Sequence, residues 1–178
     1  MRAARLAALV ALAGAWPAAA AVKGAAANGF EVESKAVVAA SPAAAYALLG
    51  RPADWWDPEH TYSQDARNLS LALRAGGCFC ERLAGGGSVE HMRVVYAQPG
   101  AALRLQGGLG PLQGEGVAGS LTFTLKRVPQ GTEVTMNYIV GGYLRAGGER
   151  LAPIVDQVLG SQFERFRRVA DRAPPPAH

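Results

Sequence analysis

The sequence predicts an α+β domain, a curved antiparallel sheet closing over one long C-terminal helix. Three observations carry this. The runs Cys78-Phe79-Cys80-Glu81-Arg82-Leu83 and Val89 to Ala97 flank the turn Ala84-Gly85-Gly86-Gly87 and read as a β-hairpin. Ser120 to Val128 and Thr132 to Val140 flank Pro129-Gln130-Gly131 and are rich in β-branched and aromatic residues, as a strand pair should be. From about Gly148 to Ala170, Leu151, Ile154, Val155, Val158, Leu159, Phe166 and Val169 recur at helical spacing and form one apolar stripe. Such an architecture usually encloses a cavity.

The ends read differently from the middle. Arg2 and Arg5, the apolar stretch Leu6 to Ala15 and the A-x-A site Ala18-Ala19-Ala20 form the pattern of a secretory signal peptide over residues 1–21. The apolar stretch is short for a membrane span. Export to the periplasm or the medium is therefore expected, with a mature chain starting near Ala21 or Val22 and no membrane insertion after cleavage. Residues 22–172 form one domain of ordinary size. The Pro-rich tail 173–178 is expected to be disordered.

Within the domain, residues 22–28 look like an extended lead-in. Phe30 to Val38 alternates apolar and polar residues, the period of a half-buried strand. Ser41 can cap a helix with Pro42 at its first position, Ala45, Tyr46, Leu48 and Leu49 on its apolar side, and Gly50 at its end. Pro52 to Trp56 reads as a second short helix, stopped by Pro58. Asn68 to Leu73 alternates as a strand. Pro99-Gly100 turns the chain into a strand over Ala102 to Gln106. Gly107 to Gly116 is a long glycine-rich loop. Pro153 is expected in the first turn of the long helix, where its missing N–H is harmless.

Charge excludes one class of partner. The formal net charge of +4 falls by two once Arg2 and Arg5 are set aside. Arg165, Arg167 and Arg168 are a small cluster read as a solvated helix face. Basic residues do not interleave with aromatic ones as in a phosphate-tracking surface, so no nucleic acid is expected.

The order of elements, and the stretches Ala39-Ala40-Ser41-Pro42-Ala43-Ala44-Ala45-Tyr46, Trp55-Trp56-Asp57-Pro58, Gly76-Gly77-Cys78-Phe79 and Val94-Val95-Tyr96-Ala97-Gln98-Pro99, resemble the START-like superfamily of helix-grip proteins, also called SRPBCC. The resemblance covers roughly residues 30–170. It implies a seven-stranded antiparallel sheet gripping the C-terminal helix around a largely apolar cavity, with two short helices after the first strand. Members bind lipids, sterols, polyketides or hormones; some are enzymes, such as polyketide cyclases and dehydrases, and others are carriers. Fold and chemistry separate freely in such superfolds.

Few residues could carry chemistry. The acid–base candidates are His91, Glu81 and His60; His60 follows Trp55-Trp56 in a loop and reads more readily as a plain loop residue than as an acid or base. Trp55, Trp56, His60, His91, Arg93 and Tyr143 are the candidate ligand contacts, the tryptophans being alternatively core anchors. Tyr96 and Tyr138 offer further hydroxyls.

On strand spacing, Cys78, Cys80 and Arg82 share one face, and Phe79, Glu81 and Leu83 the other. A four-residue loop sets Cys80 opposite His91 and Cys78 opposite Arg93. A three-residue loop sets Arg82 opposite Glu90 and Glu81 opposite His91, and its charge pairing favours it. Two half-buried free thiols are preferred to a strained i,i+2 disulfide, because Cα atoms two apart on a flat strand lie about 6.5–7 Å apart. No metal site is expected, for want of ligand spacing. No cofactor is expected either. Gly114-Glu115-Gly116-Val117-Ala118-Gly119 spells G-x-G-x-x-G, but a strand pattern follows it, so no helix N-terminus awaits a pyrophosphate.

The residues thus point to an exported protein holding a small hydrophobic or amphipathic molecule. The alternative is a cyclase- or dehydratase-like enzyme using a cavity histidine and glutamate. An all-apolar cavity with both groups at the surface would favour the carrier, and a cavity-lining histidine beside Glu81 the enzyme. The sequence identifies no protein partner.

Overall fold

The computed structural model describes residues 19–172, so most of the expected signal segment and the whole tail 173–178 lie outside the described residues. One antiparallel sheet and one long helix make the fold. The strands are β1 (Ala19–Ala26), β2 (Gly29–Val38), β3 (Leu69–Leu71), β4 (Cys78–Arg82), β5 (Ser88–Gln98), β6 (Ala102–Gln106), β7 (Gly116–Val128) and β8 (Gly131–Tyr143). Their order in the sheet is β1-β2-β8-β7-β6-β5-β4-β3. The strand count is therefore eight rather than the expected seven. The extra one is β1, read from sequence as a lead-in because its small residues do not alternate. Backbone pairing with β2 holds it, while the side chains of Ala21 to Ala26 stay exposed.

The alternation along β2, β7 and β8 directs one row of side chains inward. Phe30, Val32 and Val38 meet Leu121, Phe123, Val134, Met136 and Tyr138 in a single core. The helix α1 (Pro42–Leu49) forms as its cap predicts, with Ser41 Oγ accepting from the Ala44 N–H at 3.2 Å. The expected second helix does not form. Instead the chain makes separate 3₁₀ turns at Pro52–Asp54, Pro58–His60 and Ala66–Asn68. Pro58 has no N–H to donate and drives the residue before it out of the helical region, which breaks the segment.

The helix α2 (Gly148–Ala170) has the predicted bounds, but Pro153 lies in its second turn. The position is exposed, so the carbonyl freed by the missing N–H does not face the core. The apolar stripe divides in function. Leu159 and Phe166, joined by Ala152, Gln162, Phe163 and Ala170, are buried. Leu151, Val155 and Val158 are half-buried and Ile154 is exposed, and all four face an open space.

The hairpin differs most from expectation. Cys78 opposes Arg93 and Phe79 opposes Met92, but Cys80 opposes Glu90 and Arg82 opposes Ser88. The favoured register is overturned: Arg82 does not face Glu90, and Glu90 pairs instead with Arg93 on its own strand. The other register holds only as far as Phe79. A β-bulge then leaves His91 as an extra residue on β5. The bulge turns His91 to the inner face beside Met92, both buried, where strict alternation would separate them. Cys78 and Cys80 form a disulfide, against the expected free thiols. Their Cα atoms are 5.4 Å apart, within disulfide range and closer than two residues of a flat strand.

Candidate functional site

Between α2 and the sheet lies a cavity of about 400 Å³. Leu151, Ile154, Val155, Val158 and Leu159 form its helical wall. Phe79 and His91 form the sheet wall. Leu109 to Leu112 cover one side, and Trp56 with Glu59 to Tyr62 the other. The lining is mostly apolar, with polar groups gathered near His91 and the 59–62 loop.

The polar corner is built around Glu81. This carboxylate is 1 % exposed. It accepts hydrogen bonds from Ser63 N at 2.5 Å and Tyr62 N at 3.2 Å, and lies 2.9 Å from His91 Nε2. Burial pushes the Glu81 carboxyl up, but the bonds from Ser63, Tyr62 and His91 outweigh it and hold it below the usual carboxylate range. An ionised Glu81 requires the proton of neutral His91 to sit on Nε2. Nδ1 is then the ring nitrogen left to accept from a ligand. Aromatic rings confine the imidazole: Tyr62 stacks on it at 5.9 Å and Phe79 lies at 5.1 Å. Tyr62 also donates to the Gly110 carbonyl at 3.2 Å, joining the two loops that border the cavity.

His60 is held from α2. Gln162, fully buried, accepts from Asp57 N at 2.7 Å through Oε1 and reaches His60 Nδ1 at 3.1 Å through Nε2. Because that amide nitrogen donates, His60 Nδ1 accepts, and its own proton is carried on Nε2. Arg165 donates to the Trp55 carbonyl at 3.0 Å and fastens the same loop.

The two tryptophans part company. Trp56 lines the cavity, its indole N–H on the His60 carbonyl at 3.0 Å. Trp55 is a core residue, its N–H on the Leu48 carbonyl at 3.0 Å and its ring against Phe166. Three candidate contacts are corrected: Trp55, Arg93 and Tyr143 do not line the cavity. Arg93 lies on the outer face, bound to Glu90 and to the Gly76 carbonyl. Tyr143, at the end of β8, is 72 % exposed. Tyr138 is buried in the core, where it accepts from Leu109 N and donates to the Gly107 carbonyl, both at 3.1 Å. Burial pushes its hydroxyl up to about 12. That hydroxyl pins the glycine-rich loop; a Cβ at Gly119 would strike it and the Gly107 carbonyl.

Sequence reasoning missed Tyr62, Leu109, Leu112 and Gln162. Only Gln162 left a signal, as a polar residue set within the apolar stripe of α2. Among the described residues, one cluster of three possible metal ligands occurs, Cys78, Cys80 and Glu90, with its two sulfurs already joined. His91 points to the opposite face and does not join it.

Sheet, gripped helix and the cavity between them together define a helix-grip fold. Solved structures share it. A protein from Mesorhizobium loti, MLL2253, matches with a TM-score of 0.59 at 18% identity, over 81% of this chain and 98% of that one. A Rhizobium leguminosarum protein gives 0.60 at 14% identity, over 87% and 99%. The Aha1 dimer from Colwellia psychrerythraea gives 0.55 at 17% identity, over 80% and 96%. At such identities the likeness is one of fold alone. No protein-family model and no curated protein matches the chain.

Proposed function

We propose that this is an exported START-like domain that holds a small hydrophobic or amphipathic molecule between α2 and the sheet. The single observation that carries this reading is the cavity of about 400 Å³, a volume suited to a small organic ligand. A ligand burying a few hundred Å² there gains on the order of 25 cal/mol per Å², before the entropic costs of association. Its apolar part packs on Val155, Val158 and Phe79. A hydroxyl at its polar end donates to His91 Nδ1.

The experiment is native mass spectrometry of protein recovered from the cell envelope. A chain lacking about 20 N-terminal residues, carrying a small molecule that organic solvent strips off, is the expected result. A full-length chain retained in the membrane would remove export from the proposal. An envelope-purified chain with no small molecule, and no binding of an apolar fluorescent probe, would remove ligand binding.

A second reading has its own observation. A buried His91–Glu81 pair in a cavity wall is the arrangement named above for acid–base chemistry: the carboxylate orients the imidazole and stabilises the imidazolium that forms when Nδ1 takes a proton. The placement of His91 beside Glu81 meets the criterion set out above for the enzyme; the carrier is kept as the first reading because the cavity presents one such pair and no activated nucleophile. Incubating the purified protein with its stripped ligand separates the two. Chemical conversion of that ligand, abolished by His91→Ala while the apolar probe still binds, would make the protein an enzyme.

A further inference from the structure

The outer face of β4 carries a feature that ligand binding does not use. Cys78 and Cys80 are half-buried there, joined to one another, with Glu90 3.9 Å from the Cys78 sulfur and Arg93 bound to Glu90. Phe79 lies between the two cysteines and Glu81 follows them, both on the opposite face, where Phe79 lines the cavity and Glu81 is buried on His91. Two residues of relaxed strand span about 6.6–6.8 Å. The disulfide holds the same step to 5.4 Å. Directly across from this shortened stretch, β5 carries its extra residue, and that residue is His91.

The geometry points to a thiol–disulfide exchange site at Cys78–Cys80 that takes a dithiol reductant and sets the His91–Glu81 contact on the opposite face of the sheet. A short β4 beside a long β5 is a mismatch of contour, and the bulge accommodates it. With the link open, β4 relaxes toward full extension. The ladder that begins at Cys78–Arg93 can then run on without a bulge. Cys80 comes to face His91 and Glu81 comes to face Glu90, so the imidazole leaves the inner face for the outer one and Glu81 exchanges its partner for a like charge. The reaction balances with the dithiol alone. One of its thiolates attacks a sulfur of the pair, and the other sulfur leaves as a thiolate and takes a proton. The second thiolate of the reductant then resolves the mixed disulfide. Two electrons pass, the reductant becomes a disulfide, and the chain carries two thiols. This goes beyond ligand binding and does not depend on it.

The test reads the imidazole rather than a ligand. Protein labelled with ¹⁵N-histidine is compared by long-range ¹H–¹⁵N spectroscopy before and after treatment with dithiothreitol, and as the Cys78→Ser/Cys80→Ser variant. Iodoacetamide on the folded chain counts thiols by mass. Without reductant the expected result is no alkylation and a single Nε2–H tautomer for His91. After reduction, two alkylations are expected with far-ultraviolet circular dichroism unchanged, and the single-tautomer signature is lost. The serine variant should match the reduced state; if it fails to fold, the reduced parent chain decides alone. Free thiols without reductant would overturn the inference. So would sulfurs that react only in denaturant, a His91 spectrum unmoved by reduction, or a chain that unfolds when reduced.

Discussion

Buried Glu81 and half-buried Asp156 behave oppositely, and each sign follows from whether the carboxylate has hydrogen-bond donors. Glu81 is buried, but three donors over-compensate, so its folded carboxyl titrates below the unfolded value of about 4.3. Its stabilising contribution is therefore complete above that pH and is lost as pH falls through the lowered folded value. Glu81→Gln should lower stability at pH 7 by roughly 1–3 kcal/mol, because an amide cannot satisfy all three donors. Urea melts should show the gap to the parent narrowing below pH 4; an equal gap at pH 7 and pH 3.5 would contradict the assigned bonds. Asp156 on α2 is the reverse case. Its Oδ1 is buried without a hydrogen-bond partner, and burial pushes the carboxyl up. A raised folded value means that stability declines as pH climbs from the unfolded value of about 3.9 through the folded one. Asp156→Asn should then stabilise the protein at pH 7 and change little at pH 3. A variant melting below its parent at pH 7 would show that the carboxylate is satisfied after all.

At the scale of elements, α2 does two jobs along one stripe. Phe163 and Phe166 stack at 6.2 Å and are buried. Phe163→Ala should cost about 3–5 kcal/mol in a denaturant melt, as large-to-small changes in a packed core do. Val158 reads from sequence as an equal member of that stripe, which predicts a severe loss for Val158→Asp. Its place in the cavity wall changes the expectation. The new carboxylate can stay hydrated in the open space, so stability should fall by only about 1 kcal/mol. Binding of an apolar fluorescent probe should instead be lost, because the charge must be desolvated by the ligand. If Val158→Asp unfolds the protein while Phe163→Ala is mild, the division of the stripe is wrong.

The whole molecule depends on how its sheet ends. β1 covers the edge of β2, and α2 packs across both strands. Cleavage after Ala20, as the signal pattern predicts, leaves Ala21 to Ala26 in place. A chain beginning at Ala21 should therefore melt with the full-length protein. One beginning at Ala27 uncovers the long, regular edge of β2 and should associate or aggregate in sedimentation analysis. Equal behaviour of the two chains would mean that β1 adds nothing to the fold.

The parts governed by local rules were legible in the chain alone. Alternation in Phe30 to Val38 and in the Ser120–Val140 pair, the Ser41-Pro42 cap and the 3.6-residue stripe of α2 depend on near neighbours in the chain, so they could be read one segment at a time. Features that depend on partners far along the chain emerged only from the folded molecule. β1 has no apolar alternation, and only β2 makes it a strand. Cross-strand charge favoured a register with Arg82 against Glu90, but the bulge beside the disulfide-linked Cys78–Cys80 stretch set another. The same bulge brought Glu81 and His91 together by turning a side chain that alternation would have sent outward. Trp55 and Trp56 were indistinguishable until Leu48 and Phe166 claimed one and the cavity took the other. Leu151 to Val158 could not be told from core residues, because periodicity records which face of a helix is apolar, not whether protein atoms or a space for a ligand lie opposite it.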